Sequence, residues 1–208
     1  MRSVRRVGAT TVAATMIAAA KAGISVFATG GIGGVHRGAE LSFDISADLQ
    51  ELAQTPVTVV SSGCKAILDI PKTLEVLETL GVPVIAYKQD EFPAFWSAKS
   101  EYAAPVRMDD VKEIAEAHKM RAKLGISGGQ LIANPIPAEN EIPLRDIQPI
   151  IDEAIEASFE KKIIAKEVTP FLLSRIFELT EGESLTANIA LVLNNSQLAA
   201  KIAKNFIN

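Results

Sequence analysis

The sequence predicts an α/β protein, a three-layer α/β/α arrangement with a mostly parallel central sheet and a helical C-terminal third. Three observations point there. Four short β-branched or apolar runs alternate with helical patterns up to residue 133. Strands separated by helices of that length call for right-handed crossovers and a sheet covered on both faces. From residue 145 onward the patterns are helical. A glycine-rich loop directly follows the first strand run, at the edge where such sheets bind ligands.

Taken in order, residues 10–22 form a helix of small residues stopped by Gly23. Arg2, Arg5 and Arg6 in front of it imitate a targeting segment. The stretch is poor in leucine, however, and Lys21 ends it after about a dozen residues where a bilayer span needs about 20. It reads as an ordinary buried helix. Residues 24–28 (ISVFA) give the first strand. Ser46 is placed to cap a helix reaching Gln54, and residues 56–61 (PVTVVS) give the second strand. Residues 71–80 carry leucines at 74, 77 and 80 before Gly81, a helical pattern, and residues 82–87 follow as the third strand. Asp109 and Asp110 open a charged helix closing near Gly125, and residues 130–133 form a weaker fourth strand. Residues 145–161, 170–179 and 185–206 are helical, with Thr169 as cap and Pro170 in the first turn of the second. Proline-rich loops at 90–93 and 134–143 are either plain connections or walls of a pocket. With no repeat and no low-complexity linker, residues 1–208 read as one domain.

Composition narrows the function. At 48% apolar and 22% charged residues, the chain can bury a core and lacks the signature of disorder. A net charge of −4, with no Lys/Arg run longer than a pair, argues against a nucleic-acid face. The single cysteine, Cys64, cannot make an intrachain disulfide and fits a reducing compartment, so a cytoplasmic location is expected.

Three segments could carry chemistry. The loop TGGIGGVHRG, residues 29–38, holds five glycines in ten positions, which lets a backbone approach a ligand closely and turn N–H groups toward an anion. It is neither a dinucleotide fingerprint, since the third required glycine would fall at His36, nor a Walker loop. His36 within it is either a structural histidine or a phosphate or substrate contact. His118, in the charged helix, reads as solvated surface. In FDISADLQ, Asp44 and Asp48 flank Ser46 at a helix start. Capping and dipole compensation explain them, and so does a site with Asp44 as a hard oxygen ligand and Asp48 as an acid or base. In SSGCK, Lys65 follows a strand and a glycine turn and precedes apolar ILDI. Desolvation there would favour a neutral, nucleophilic amine, although most lysines are surface charges. Cys64 beside it reads as packing volume.

The strings GATTVAATM, ATGGIGGVHRGAE, DISADL, SSGCKAILDI, TLEVLETLGVPV, DEFPAFW, LIANPIP, KEVTPFLL and SLTANIALVLNN, in this order, resemble pseudouridine-5′-phosphate glycosidase, of the indigoidine-synthase-A-like fold group. The resemblance runs from Gly8 to the C-terminus. It implies reversible cleavage of pseudouridine 5′-phosphate to uracil and ribose 5-phosphate, one bound Mn²⁺ per chain (Mg²⁺ as the alternative) and a homotrimer. Uracil carbon leaves poorly, so a two-carboxylate glycosidase scheme does not suffice. The family's lysine attacks ribose C1′, the ring opens, and a Schiff base forms before the C–C bond breaks. By motif that lysine is Lys65, and Asp44 is the metal-binding aspartate. Ser46, Ala47 and Asp48 match the segment lining the substrate, with Asp48 as proton shuttle for ring opening. Val12 matches a backbone contact, Thr29 and His36 match pocket residues with His36 near the phosphate, and Asn188 matches the asparagine that reads uracil. An amide offering both donor and acceptor suits an imide edge.

The family also carries a long region before GATTV, with an acidic proton donor and a phosphate-binding lysine in a K-x-S-R-R-D motif. Here MRSVRRV precedes Gly8, and Arg5-Arg6 stand too close to GATTV to be its equivalent. The expectation is therefore an N-terminally truncated chain, marginally stable, prone to associate and weak in catalysis. Two other readings stay open. A Schiff-base lyase on another sugar phosphate shares Lys65 and the glycine loop but leaves the Asn188 motif unexplained. A non-catalytic remnant would bind nucleotide or a partner chain.

Overall fold

The computed structural model describes residues 10–161, 163 and 167–206. Arg2, Arg5, Arg6 and Gly8 lie outside the described residues. The strands are β1 (Val26–Ala28), β2 (Val35–His36), β3 (Thr58–Ser61), β4 (Leu68–Asp69), β5 (Val84–Tyr87), β6 (Val106–Met108) and β7 (Gln130–Ala133). The helices are α1 (Val12–Lys21), α2 (Ala39–Ser42), α3 (Ala47–Gln54), α4 (Ile70–Thr79), α5 (Val111–Lys123), α6 (Leu144–Glu160), α7 (Val168–Leu179) and α8 (Glu183–Lys204).

Five strands form one sheet in the order β1-β3-β7-β5-β6, every pairing parallel. Successive side chains of a strand face opposite ways, and the core divides accordingly. Val59, Val84 and Leu131 pack with Met16 of α1, Leu49 and Leu52 of α3 and Leu77 of α4. Val60, Ile85 and Ile132 pack with Ile114 of α5 and Leu198 and Ile202 of α8. The sheet is thus covered on both faces, and the expected three layers are present.

The caps follow side-chain chemistry. Ser46 Oγ accepts the Asp48 amide at the start of α3, Asp69 accepts the Lys72 amide ahead of α4, and Asp110 accepts the Lys112 amide ahead of α5. Helix α1 is capped by Thr11 and buries only one side, through Val12, Ala13, Met16 and Ala19. Ile17 on its other side is 42% exposed, so α1 is an amphipathic layer helix rather than a fully buried one. Among the described residues no helix is long and apolar enough to cross a membrane.

Several expectations are corrected. The weakest predicted strand, β7, is the middle of the sheet with all four residues buried, because its neighbours supply the burial that its own pattern lacks. The edge strand β6 escapes a hydrophobicity reading, since Val106 and Arg107 are exposed. Thr169 does not cap α7; Glu167 precedes the helix without a side-chain cap bond, and Thr169 and Pro170 both lie in its first turn. His118 is not solvated surface. Its Nδ1 lies 3.0 Å from Thr58 Oγ1 and its ring packs edge-on against Phe206 at 4.9 Å. A short helix, α2, follows the glycine loop, and β2 within that loop pairs antiparallel with β4 beyond Lys65.

Candidate active site

The site grows from two loops that prolong β1 and β3 side by side. The Ser62 amide donates to Gly30 O at 2.8 Å, the Ile32 amide to Gly63 O at 3.1 Å and the Lys65 amide to Ile32 O at 3.0 Å. Gly63 turns the second loop with φ +84°, and a side chain there would strike Pro93 O. The 90–93 loop is therefore a backing for the Lys65 turn, and Ile142 N bonding to Trp96 O ties the 134–143 loop in behind it.

In front of these loops lies a cavity of about 450 Å³ whose walls include Lys65, His36, Asp44, Ser46 and Gly33. Thr11, Leu68 and Thr169 complete its lining. Four residues singled out from the sequence therefore converge. His36 is held by β2, whose amide donates to Asp44 O at 3.0 Å, so the histidine and the aspartate are fixed to each other through the backbone. Lys65 is half-buried, and among the described residues its amino group has no ion-pair or hydrogen-bond partner. A smaller, mainly apolar cavity of about 240 Å³ adjoins it, sharing His36 and Asp44 and walled by Ile67, Ile155, Phe159 and Leu172.

Asp48 is buried, at 4% exposure, and both its carboxylate oxygens are engaged. Oδ1 accepts the Ala13 amide at 2.8 Å and Oδ2 the Gly33 amide at 2.7 Å. The Ile32–Gly33 peptide thus receives Lys65 on its carbonyl side and Asp48 on its amide side. Any side chain at residue 33 would run into Ser46 Oγ and come within 2.8 Å of Asp48 Oδ2. Glycine is required there by close approach, and it leaves the carboxylate beside the cavity. Capping and a site role coincide in this segment: Ser46 caps α3 and also lines the cavity.

The remaining sequence candidates lie around the cavity rather than on its lining. Val12 is the buried first residue of α1, with Thr11 next to it on the cavity wall. Ala47 is the exposed first residue of α3. Thr29 directly follows β1, its amide donating to Val60 O. Asn188 of α8 stands over the glycine loop, with Oδ1 3.3 Å from the position a Cβ on Gly30 would take. The residue that the sequence reading missed is Asn195, wholly buried among the carboxyl ends of β1, β3 and β7. Its signal was a polar residue two helical turns after Asn188, on the same helix face.

Burial pushes the Cys64 thiol up to about 12, which keeps it protonated and removes it as a nucleophile. Beside the cavity, Arg37 Nη1 pairs with Asp152 Oδ1 at 2.6 Å. For a metal, the described residues hold no group of three His, Cys, Asp or Glu. Asp44 alone, exposed to a roomy cavity, does not fit zinc's dense nitrogen and sulfur set. It does fit a hard cation held by one carboxylate and otherwise by water.

Known proteins resemble this chain over nearly its whole length. Residues 1–205 match the family model described as indigoidine synthase A like protein. The chain is 69% identical over 198 residues to the pseudouridine-5′-phosphate glycosidase of Paracoccus denitrificans, covering 95% of this chain and 65% of that protein. It is 66% identical over 198 residues to that of Jannaschia sp., covering 95% and 66%. Among solved structures, the prealnumycin C-glycosynthase AlnA in complex with ribulose 5-phosphate superposes with a TM-score of 0.89 at 36% identity, over 96% of this chain and 66% of that one. An indigoidine synthase A-like protein from Thermotoga maritima gives 0.85 at 39% identity, over 93% and 63%. The chain therefore spans just under two thirds of the length of these proteins.

Proposed function

Because this chain belongs to the indigoidine synthase A like family, we propose that it carries the nucleophile-bearing part of a pseudouridine-5′-phosphate glycosidase, which cleaves pseudouridine 5′-phosphate reversibly to uracil and ribose 5-phosphate. The observation that carries the reading is Lys65, half-buried and without a side-chain partner among the described residues, on a cavity wall shared with His36 and Asp44. A relative at 69% identity bears that enzyme name.

In cleavage, Lys65 Nζ bonds to C1′ while the C1′–O4′ bond breaks and O4′ takes a proton. The nitrogen lone pair then forms C1′=N as the C1′–C5 pair departs to uracil, whose C5 takes a proton. Because C1′ keeps its hydrogen, the Schiff base arises with the C–C break, not before it as the resemblance implied. Water hydrolyses the iminium, releasing ribose 5-phosphate and the free amine. Asp48, beside the gap left by Gly33, moves the ring-opening proton. His36 and the glycine-loop amides receive the phosphate, and Asn188 hydrogen-bonds the uracil imide. Val12 borders the substrate through its main chain, Thr29 as a pocket residue, and Ser46 and Ala47 at the start of α3. Asp44 would hold Mn²⁺ or Mg²⁺ through its carboxylate, with water as the other ligands, and the ion would supply positive charge for the anionic substrate. A homotrimer in the cytoplasm completes the proposal.

The test is borohydride reduction of the chain with ribose 5-phosphate, followed by peptide mass mapping, with and without Mn²⁺. A reduced adduct on the Lys65 peptide, lost in Lys65→Ala, is expected. Adduct spread over surface lysines and unchanged by that substitution would sink the proposal. The superposition on a C-glycosynthase that binds ribulose 5-phosphate favours a second reading, carbon–carbon bond formation to an acceptor other than uracil. Uracil added before the borohydride decides between them: it should consume the unreduced iminium and lower the adduct yield only if uracil is the acceptor.

A further inference from the structure

We infer that Asn195 is a positioning residue that holds the uracil-reading side of the site in register with the lysine-bearing side; the inference rests on the function proposed above. Asn195 is fully buried on α8. Its Nδ2 donates to Thr29 O at 2.9 Å and to Ser62 Oγ at 3.1 Å, with Gly30 O at 3.4 Å. Its Oδ1 accepts from Asn134 Nδ2 at 3.0 Å, with Ser62 Oγ at 3.4 Å. One side chain therefore fastens the helix to the ends of three adjacent strands. An amide buried in this way is costly unless satisfied, and here both of its ends are.

The register argument follows from helix geometry. Asn188 lies seven residues before Asn195, two turns along the same face. It stands against Gly30, whose carbonyl also receives the Ser62 amide. Rotation or sliding of α8 would carry Asn188 off the glycine loop. Asn195 also touches the loops that bear Lys65, at Ser62 Oγ and Gly30 O, but Lys65 itself is placed by the main-chain bonds between the 30–32 and 62–65 loops, which remain when the Asn195 side chain is removed. Loss of the Asn195 side chain should therefore harm uracil recognition more than sugar capture. A merely structural role would lower both together.

The experiment compares Asn195→Ala and Asn195→Asp with Leu198→Ala, a truncation in the apolar core between the same helix and the sheet. Two quantities are read on the whole 208-residue chain: the uracil Kd by calorimetry with ribose 5-phosphate present, and the yield of reduced adduct at Lys65. Asn195→Asp keeps shape and acceptor but turns an oxygen toward Thr29 O, so it should behave like the alanine variant. The expected result is a Kd raised by about tenfold or more with adduct yield changed by less than about threefold, a split of the size one or two buried hydrogen bonds give. Leu198→Ala should leave the ratio of the two readouts unchanged. If Asn195→Ala does not fold, Asn134→Ala, which removes one leg of the same network, should show the split in smaller form. Equal losses in both readouts, or unchanged uracil affinity in variants of a chain that traps sugar at Lys65, overturn the inference. A wild-type chain that neither traps sugar nor binds uracil overturns the function proposal instead.

Discussion

The two ends of the sheet bury similar polar side chains and treat them differently. At the carboxyl end, Asn195, Asn134, Ser62 and Asp48 are all engaged on the groups that point inward. At the amino end, Gln130 Nε2 donates to Ile114 O and Thr58 Oγ1, while Gln130 Oε1 and Arg121 Nε have no partner among the described residues. Complete pairing fixes geometry, and incomplete pairing tolerates slack. At the carboxyl end the buried group without a partner among the described residues is Trp96 Nε1, in the loop behind the Lys65 turn; the side chains at the strand ends themselves are paired, so their hydrogen bonds serve position as well as stability.

The sharpest way to break this contrast is Asp48→Ala. It strands the Ala13 and Gly33 amides and should destabilise by about 2–6 kcal/mol, since each buried donor left unpaired costs roughly 1–3 kcal/mol. Adduct formation at Lys65 should collapse with it. Urea unfolding followed by circular dichroism measures the first, and mass mapping the second. An intact midpoint would show that Asp48 is not a strut. At the other end, Gln130→Met should cost only about 1 kcal/mol, because it removes two modest hydrogen bonds along with an acceptor that is already unsatisfied, and trapping at Lys65 should persist.

A smaller effect concerns pH. Burial, then the charge of Arg121, lowers the His118 pKa from 6.5. Above that value both folded and unfolded chains carry neutral imidazole. Below it the unfolded chain takes up the proton first, so stability falls as pH drops from about 6.5 through the lower folded value, then levels off. In His118→Gln the decline over this window should be shallower in urea titrations at stepped pH. The smallest effect expected is at Cys64, which sits beside Lys65 but is sealed. A thiol reagent at pH 8 should label it only after unfolding. Rapid labelling of the native chain would mean that the carboxyl end is looser than its bonding implies.

These contrasts also mark how far the sequence could be read. Helices α3, α4 and α5 were legible because Ser46, Gly81 and Asp110 are local signals, acting within one turn. Lys65, Asp44 and His36 were legible as candidates because each sits at an unusual place beside glycine or a cap. What joins them was not. Asp48 reads as an ordinary first-turn acid, and its partners Ala13 and Gly33 lie 35 and 15 residues away. Asn195 reads as a surface residue until the strand ends close around it. His118 failed for the same reason, since Thr58 and Phe206, the groups that enclose it, are remote in sequence.

The central place of β7 has a consequence for the order of assembly. The pairs β1–β3 and β5–β6 each join segments near in sequence, but β7 must be inserted between β3 and β5 to unite them. As the chain is synthesised, two half-sheets wait with open inner edges until residue 133 is available. Open edges of apolar strands invite association with other chains, and non-local parallel pairing is slow. The step at which β7 closes the sheet is therefore the one where refolding and self-association compete most directly, and it is also the step that brings Asn134 to Asn195.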